Sequence, residues 1–233
     1  MGNKQEDKVM PQLIVIEGGD GSGKKTQARI LAKMLKFFNR SVRTIDFPQY
    51  RLNFFGKLIR DYLDGRFGDP LSVSPYSAAP LYCFDRFESA AKIRRWLYEG
   101  RIVVSDRFHT ANIIHQGAKL PPKKRLALVE FLDRLEFDFL KVPRPDLVFY
   151  LHVYPEVAQI LMEKQGRVKD GHEANLRYAR KVEKTALWAC EKFGWVKIEC
   201  CPNQKSILPE ERIHNLIWKT VERVVWPGPT KQL

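Results

Sequence analysis

The sequence has little cysteine and no long apolar segment. Its 233 residues include four cysteines, with no pair separated by two residues, and Cys200 and Cys201 are adjacent. This spacing argues against a zinc site or a disulfide framework, and it favours reduced thiols in a cytoplasmic protein. No apolar stretch reaches the roughly 18 residues of a membrane span, and the N-terminal segment is mostly polar. We therefore expect no transmembrane helix, no signal peptide and no membrane partner.

Acidic residues are fewer than basic ones. Lys and Arg number 40 against 27 Asp and Glu, which gives a net charge of +13. This excess favours anionic partners, but charge alone does not distinguish nucleotides from nucleic acid or an acidic membrane surface. Without an internal repeat or a long linker, we expect a polar extension at 1–12, a single domain at 13–225 and a tail at 226–233.

A glycine-rich segment follows the first apolar run. Residues 13–16 are rich in β-branched side chains and predict a buried strand, after which Gly18, Gly23 and Lys24 match the spacing G-x-x-x-x-G-K. In this motif backbone N–H groups surround a β-phosphate, and the lysine reaches further phosphate oxygens. The helix that follows adds its positive N-terminal end. The segment therefore predicts a phosphate-binding loop.

The position after the lysine departs from this motif. The Ser or Thr that usually holds Mg²⁺ is replaced by Lys25, and Thr26 follows one residue later. One residue corresponds to a rotation of about 100° around a helix. The motif thus predicts phosphate binding and leaves the metal ligands open.

Strands and helices alternate along the rest of the chain. Apolar runs predict strands at 13–16, 43–47, 101–105, 146–153 and 196–200. Helical spacing predicts helices at 27–38, 55–63, 81–98, 122–140, 155–164, 173–193 and 210–225, with a charged loop at 165–172. We expect an α/β fold with an open parallel sheet flanked by helices. Ligands bind such sheets at the carboxyl ends of the strands, so residues 18–26, 47–51 and 106–116 should share one crevice.

Four further segments place functional residue types at these positions. They are Phe-Pro-Gln-Tyr at 47–50, Leu-Tyr-Cys-Phe-Asp-Arg at 81–86, Ser-Asp-Arg-Phe at 105–108 and Pro-Asp-Leu-Val-Phe-Tyr-Leu at 145–151. Together with the loop at 17–26, their order and spacing resemble the thymidylate kinase family of P-loop nucleoside monophosphate kinases, over residues 13 to 225. The resemblance implies the P-loop NTPase fold, a lid near 165–173 and a homodimer.

The resemblance also implies an activity and a set of site residues. The activity is transfer of the γ-phosphoryl group of ATP to dTMP, giving dTDP for dTTP synthesis, with Mg²⁺ as cofactor. The implied catalytic residues are Lys24, Arg107, Arg167 and Asp20. The implied ATP-binding residues are Gly18, Gly19, Asp20, Gly21, Ser22, Gly23, Lys24, Lys25 and Thr26. The implied dTMP-binding residues are Pro48, Tyr50, Arg51, Tyr82, Arg86, Arg107, Asn112, His115 and Gln116. The implied Mg²⁺ ligands are Asp20, Asp106 and Glu173.

The chemistry of phosphoryl transfer agrees with these roles. One anion must approach another, so positive charge and fixed geometry carry most of the catalysis. Lys24 can span the β- and γ-phosphates, and Arg107 can hold the acceptor phosphate with its planar fork. Tyr82 could be an ordinary core residue of its helix, but Arg86 in the same apolar stretch needs an anion or an acceptor.

Other functions remain compatible with the motifs. A deoxynucleoside kinase or another pyrimidine monophosphate kinase would share the fold and the loop. From a different class, a catalytically degenerate P-loop module could bind nucleotides or nucleic acid without chemistry, which Lys25 and the net charge of +13 would suit. The kinase interpretation expects no nucleic-acid partner, because its basic residues serve two small ligands.

Overall fold

The computed structural model describes residues 12–164 and 175–225. In these residues five parallel strands form one sheet in the order β2-β3-β1-β4-β5. The strands are β1 (Leu13–Gly18), β2 (Val42–Asp46), β3 (Ile102–Asp106), β4 (Leu147–His152) and β5 (Val196–Glu199). The helices are α1 (Lys24–Phe37), α2 (Phe54–Leu63), α3 (Pro75–Tyr98), α4 (His109–Gly117), α5 (Pro122–Asp133), α6 (Pro155–Lys164), α7 (Leu176–Phe193) and α8 (Glu210–Val225). The predicted fold class is confirmed.

The central strand β1 is buried on both faces, which explains its continuous apolar run. Leu13 and Val15 pack in one helical layer, with residues of α3, α4, α5 and α7. Ile14 and Ile16 pack in the opposite layer, with residues of α1, α6 and α8. Each such side chain contributes about 1.5–3 kcal/mol through burial. The sheet therefore holds the loop after β1 between two packed layers.

Two helix predictions were incomplete. Helix α4, His109–Gly117, was not predicted, because its polar residues sit beside the strand end and indicated a ligand-binding segment rather than a helix. Helix α3 was expected to begin after Pro80 but begins at Pro75, and Pro80 lies inside it. Proline is well tolerated in the first turn of a helix, and Pro80 removes only one hydrogen bond close to that end.

The predicted helix at 122–140 is not a single α-helix. Helix α5 ends at Asp133, and Arg134–Phe139 continues it as a π-helical segment. Glu136 lies in this segment and is fully buried at 0% exposure. Such segments are rare and occur frequently at functional sites.

None of the helices within residues 12–164 and 175–225 has the length and apolar character needed to cross a membrane.

A buried histidine links β4 to β5 and α7. His152 Nδ1 lies 2.8 Å from Glu199 Oε2, and its Nε2 lies 2.9 Å from Glu183 Oε1. The hydrogen bond to Glu183 and the contacts with Glu199 raise the pKa of His152, although burial opposes them. Because the folded protein binds the proton more tightly than the unfolded chain, the stabilisation is full below the ordinary histidine pKa, near 6.5, and is lost as the pH rises through the raised value.

We expect His152→Gln to lower the melting temperature more at pH 6 than at pH 9, because the charged form makes the stronger hydrogen bonds. Thermal unfolding of both proteins at the two pH values measures this difference. Lys197→Met is the control, since the Lys197 ammonium lies 3.5 Å from the same Glu199 carboxylate but is largely exposed. A loss of stability that is equal at both pH values, or larger at pH 9, would contradict the expectation.

Candidate active site

The loop after β1 has the backbone geometry of a phosphate cradle. Gly21 and Gly23 have positive φ angles of 74° and 83°, and Gly23 precedes the first residue of α1. A Cβ on Gly18 would stand 2.5 Å from Ser22 Oγ and 2.9 Å from the Leu151 carbonyl oxygen. Only glycine fits at these positions without rearrangement. The glycines of the motif are therefore required by the turn itself.

Lys24 is the first residue of α1 and is largely buried. Its Nζ donates to the Gly19 carbonyl oxygen at 2.6 Å, so the side chain folds back over the loop. Burial lowers the pKa of Lys24 and the charge of Arg107 adds to this effect, whereas neighbouring carboxylates, chiefly Asp20, oppose it. A cation held at this point is placed to receive phosphate oxygens.

Arg107 follows β3 and adopts a positive φ of 63°. Its backbone N–H donates to the Ile16 carbonyl oxygen at 3.0 Å, which fixes it beside the end of β1. Its guanidinium forms an ion pair with Asp20 and lies 2.9 Å from His115 Nε2. Burial works against the charged form, yet the carboxylates of Asp20 and Glu17 raise the pKa of Arg107. The guanidinium of Arg107 thus connects the Asp-Arg motif after β3 to the glycine-rich loop after β1.

Glu17 was not predicted as a site residue. Its carboxylate is fully buried, accepts from Thr110 Oγ1 at 2.7 Å and lies 3.8 Å from Arg107 Nη1. Burial raises the pKa of Glu17, while the charges of Arg107 and Lys24 oppose the rise. The acidic residue inside an otherwise apolar strand was the signal that could have identified it.

The segment after β2 forms the opposite wall. Phe47-Pro48 is a cis peptide bond. The backbone N–H of Gln49 donates to Asp85 Oδ2 at 3.0 Å, and Asn53 Nδ2 donates to Asp85 Oδ1 at 2.9 Å. Asp85 therefore links α3 to this segment, and its own pKa is raised by burial. Neither Asp85 nor Gln49 was predicted, since their role depends on contacts distant in sequence.

Gly56 lies where α2 meets the same segment. A Cβ at this position would stand 2.1 Å from the Gln49 carbonyl oxygen and 2.5 Å from its carbonyl carbon. We expect Gly56→Ala to lower the free energy of unfolding by about 1–3 kcal/mol, because the backbone must move apart. Chemical denaturation measures this loss, with the exposed Lys57→Ala as control. An unchanged denaturation midpoint would show that α2 can move away from Gln49 without loss of stability.

The predicted base-contacting residues lie on α3 and α4. Tyr82 contacts the Tyr62 ring edge-on at 6.4 Å between centroids. Asn112 Nδ2 donates to the Ala79 carbonyl oxygen at 3.1 Å. Within the described part of the chain, Asn112 Oδ1 and Gln116 Oε1 are buried without a hydrogen-bond partner. Buried acceptors of this kind are suited to a ligand donor.

One cavity of about 810 Å³ collects most of the predicted residues. Those that line it are Asp20, Gly21, Ser22, Gly23, Lys24, Lys25, Thr26, Pro48, Tyr50, Tyr82, Arg86, Asp106, Arg107, Asn112, His115 and Gln116. Gly18, Gly19 and Arg51 are not among the lining residues, and Arg51 is exposed. Arg167 and Glu173 lie outside the described residues. The cavity thus brings the predicted ATP and dTMP residues together.

An apolar part of the cavity was missed at the sequence level. It is lined by Leu161 of α6, by Ile207 and Leu208 in the segment before α8, and by Ile213 of α8. Gln27 lines the same region, and its Nε2 donates to the Glu210 carbonyl oxygen at 3.0 Å. The segment between β5 and α8 has no motif, so only the fold indicates its position beside α1.

The carboxylates fit a phosphate-bound metal rather than a protein cage. Within residues 12–164 and 175–225, no group of three or more His, Cys, Asp or Glu side chains could hold a metal ion. Asp106 lines the cavity, and its buried Oδ1 has no hydrogen-bond partner there. Mg²⁺ in kinases commonly takes one or two carboxylates together with phosphate oxygens and water, and this donor set is compatible with that arrangement.

Comparisons with known proteins agree with the geometry. The family model described as "Thymidylate kinase" matches residues 16–210. A thymidylate kinase from Mycobacterium tuberculosis (strain H37Rv) is 31% identical over 166 residues, covering 69% of this chain and 77% of that protein. A probable thymidylate kinase from Thermococcus gammatolerans is 32% identical over 222 residues, covering 93% and 98%. The solved thymidylate kinase structure from Candida albicans superposes with a TM-score of 0.67 at 25% identity, covering 91% of this chain and 92% of that one. With the phosphate loop, the Asp-Arg motif and the nucleotide cavity in place, the chain belongs to the thymidylate kinase family.

Proposed function

We propose that the protein transfers the γ-phosphoryl group of ATP to dTMP. The observation that carries this proposal is the position of Lys24 and Arg107, which approach one cavity from the ends of adjacent strands β1 and β3. Two anionic groups can therefore be neutralised side by side, as in-line transfer between them requires. Neither the deoxynucleoside kinase nor the non-catalytic module is favoured by a separate observation.

On the donor side, the loop binds the triphosphate. Backbone N–H groups of the loop and of the first turn of α1 receive phosphate oxygens, and Lys24 moves from the Gly19 carbonyl toward the β- and γ-phosphates. The apolar part of the cavity beside α8 takes the adenine ring. These contacts fix the γ-phosphoryl group at the centre of the cavity.

On the acceptor side, Arg107 holds the dTMP phosphate. Its planar fork can receive two phosphate oxygens, and its contacts with Asp20 and His115 fix its orientation before the phosphate binds. Tyr82 stacks on the pyrimidine, while Arg86 and Asn112 contact its edge. Because both phosphates are held, the acceptor oxygen is placed in line with the γ-phosphorus.

Asp106 and Asp20 are the proposed Mg²⁺ ligands among the described residues. Asp106 Oδ1 lacks a partner in that part of the chain, whereas Asp20 is already paired with Arg107, so Asp106 is the better placed of the two. Mg²⁺ bound with ATP would supply neutralisation of the charge that develops on the transferred group. Glu173 and the lid arginine Arg167 stay predictions from the family resemblance.

The proposed activity is tested by a coupled ADP-release assay across acceptors. We expect the highest kcat/KM with dTMP. Turnover with dCMP, UMP or GMP but none with dTMP would remove the specificity. Faster reaction with thymidine than with dTMP would identify a deoxynucleoside kinase. Salt-sensitive binding to DNA or RNA without ATP consumption would identify a non-catalytic module.

We also infer a homodimer formed through helices on one face. Phe54 of α2 and Phe87 of α3 are 63% and 45% exposed, and the rings of Phe55 and Phe84 stack between these helices at 4.9 Å. Exposed aromatic side chains on adjacent helices are typical of protein interfaces. Light scattering of the purified chain measures its mass, and a monomer at working concentration would contradict the inference.

We also propose that the protein is cytoplasmic. All four cysteines are free and buried, as is usual for proteins of reducing compartments. This agrees with a role in nucleotide synthesis from ATP.

A further inference from the structure

Arg86 is held by a carboxylate fifty residues away in the sequence. Its Nε donates to Glu136 Oε2 at 2.7 Å, and its Nη2 donates to Glu136 Oε1 at 2.6 Å. Both side chains are almost fully buried, with exposures of 2% and 0%. Arg86 is also among the residues that line the nucleotide cavity. A planar fork bound at two points has one orientation.

We propose that Glu136 is a positioning residue for base recognition, which fixes Arg86 so that a donor of its guanidinium faces the base. This inference rests on the proposed function and deepens it, because it names the feature that selects the base. Glu136 reaches Arg86 from the π-helical segment Arg134–Phe139. Like the buried Leu128, Val129 and Leu132 of α5, Glu136 faces the interior.

The hydrogen bonds around Glu136 leave little freedom for the pair. Cys83 Sγ lies 3.3 Å from Glu136 Oε1, so the thiol is a third donor to the carboxylate. Burial and the neighbouring carboxylate raise the pKa of Cys83 well above its usual value, which keeps the thiol protonated. Asn112 Nδ2 in turn lies 3.5 Å from Cys83 Sγ. The network therefore runs from Glu136 to two residues at the base site.

The remaining donor of Arg86 determines which bases fit. Nη1 makes only a long contact, 3.4 Å, with the Phe108 carbonyl oxygen. An N–H group at this point matches a carbonyl oxygen on the pyrimidine edge, as in thymine and uracil. The 4-amino group of cytosine would place a donor against this donor, which discriminates between the two kinds of base. We therefore expect 4-keto pyrimidine monophosphates to be preferred.

A purely structural ion pair would behave differently. A buried ion pair can often be replaced by apolar residues without loss of stability. Removal of a pair that is only structural would change kcat/KM for all substrates by a similar factor. Base selectivity is thus the measurement that separates the two roles. The variants are Glu136→Gln, which removes the charge, and Glu136→Asp, which keeps it on a shorter side chain. Glu130→Gln, at an exposed position on α5, is the matched control.

The experiment compares kcat/KM for dTMP with that for dCMP, together with KM for ATP and the melting temperature. For Glu136→Gln we expect the dTMP-to-dCMP ratio to fall at least about tenfold, mainly through KM for dTMP, with KM for ATP unchanged. Glu136→Asp should lie between this variant and the wild type, and Glu130→Gln should match the wild type.

The outcomes separate this inference from the function it rests on. A wild-type enzyme without dTMP turnover would remove the proposed function itself. A wild-type enzyme that is selective, with folded variants that keep the ratio within twofold, would overturn the role of Glu136 alone. A lower melting temperature with an unchanged ratio would likewise show a structural pair. If Glu136→Gln does not fold, Glu136→Asp decides the question through the same ratio.

Discussion

Lys24→Ala is expected to lower kcat by about 10²–10³-fold while the chain stays folded. The lysine is proposed to place a positive charge near the transferred phosphoryl group. In the structure its ammonium already contacts the Gly19 carbonyl oxygen at 2.6 Å. The loss should appear mainly in kcat, because the charge of the transferred group develops in the transition state.

Steady-state rates with saturating ATP and dTMP, together with a melting curve, measure this effect. Lys33→Ala is the control, since Lys33 lies on the exposed face of the same helix. A kcat within threefold of the wild type in folded Lys24→Ala would show that the loop backbone alone stabilises the transition state.

Arg107→Ala is expected to lower kcat/KM for dTMP by about 10²–10⁴-fold, because two charge-assisted hydrogen bonds to phosphate are lost. It should also destabilise the fold. Glu17 is fully buried at 0% exposure, and removal of Arg107 leaves Lys24 as the main nearby positive charge that stabilises its carboxylate. Arg107→Lys keeps a charge but not the planar fork, so it should recover stability better than activity.

Kinetics with varied dTMP and chemical denaturation of the three proteins test this prediction. Arg101→Ala is the control, because Arg101 lies just before the other end of the same strand and pairs with Glu99. Equal activity of Arg107→Lys and the wild type would mean that charge alone, without bidentate geometry, holds the acceptor.

Much of the fold was predictable from local patterns. The five apolar runs became the five strands, because a parallel sheet that is covered on both faces needs continuous apolar segments. The spacing of the glycines and the lysine predicted the phosphate-binding loop, since each glycine is needed for a positive φ angle or a close backbone approach. Helix α4 was not predicted because some of its residues line the cavity while others pack in the core. The polar residues that line the cavity obscured the helical periodicity.

The unpredicted part of the site depends on distant contacts. The sequence indicated that Arg86 needs an anion or an acceptor, but the Glu136 carboxylate that binds it lies fifty residues away in the sequence. Glu136 follows the buried Leu128 and Leu132 at intervals of four residues, so helical periodicity places it on the buried face but does not identify Arg86 as its partner. Asp85 is similar, because its partners Gln49 and Asn53 belong to another element.

The ion pair between Arg107 and Asp20 has a consequence for how the site selects its ligands. The chain carries a net charge of +13, yet this central cation is already matched by an internal anion. Arrival of the acceptor phosphate is therefore an exchange of counterions rather than the capture of an anion by an empty site. We expect a dianionic phosphate, with two oxygens in the plane of the fork, to replace the carboxylate more readily than a small monovalent anion does. The Asp20 carboxylate would thus keep other anions from the Arg107 guanidinium until the acceptor phosphate binds.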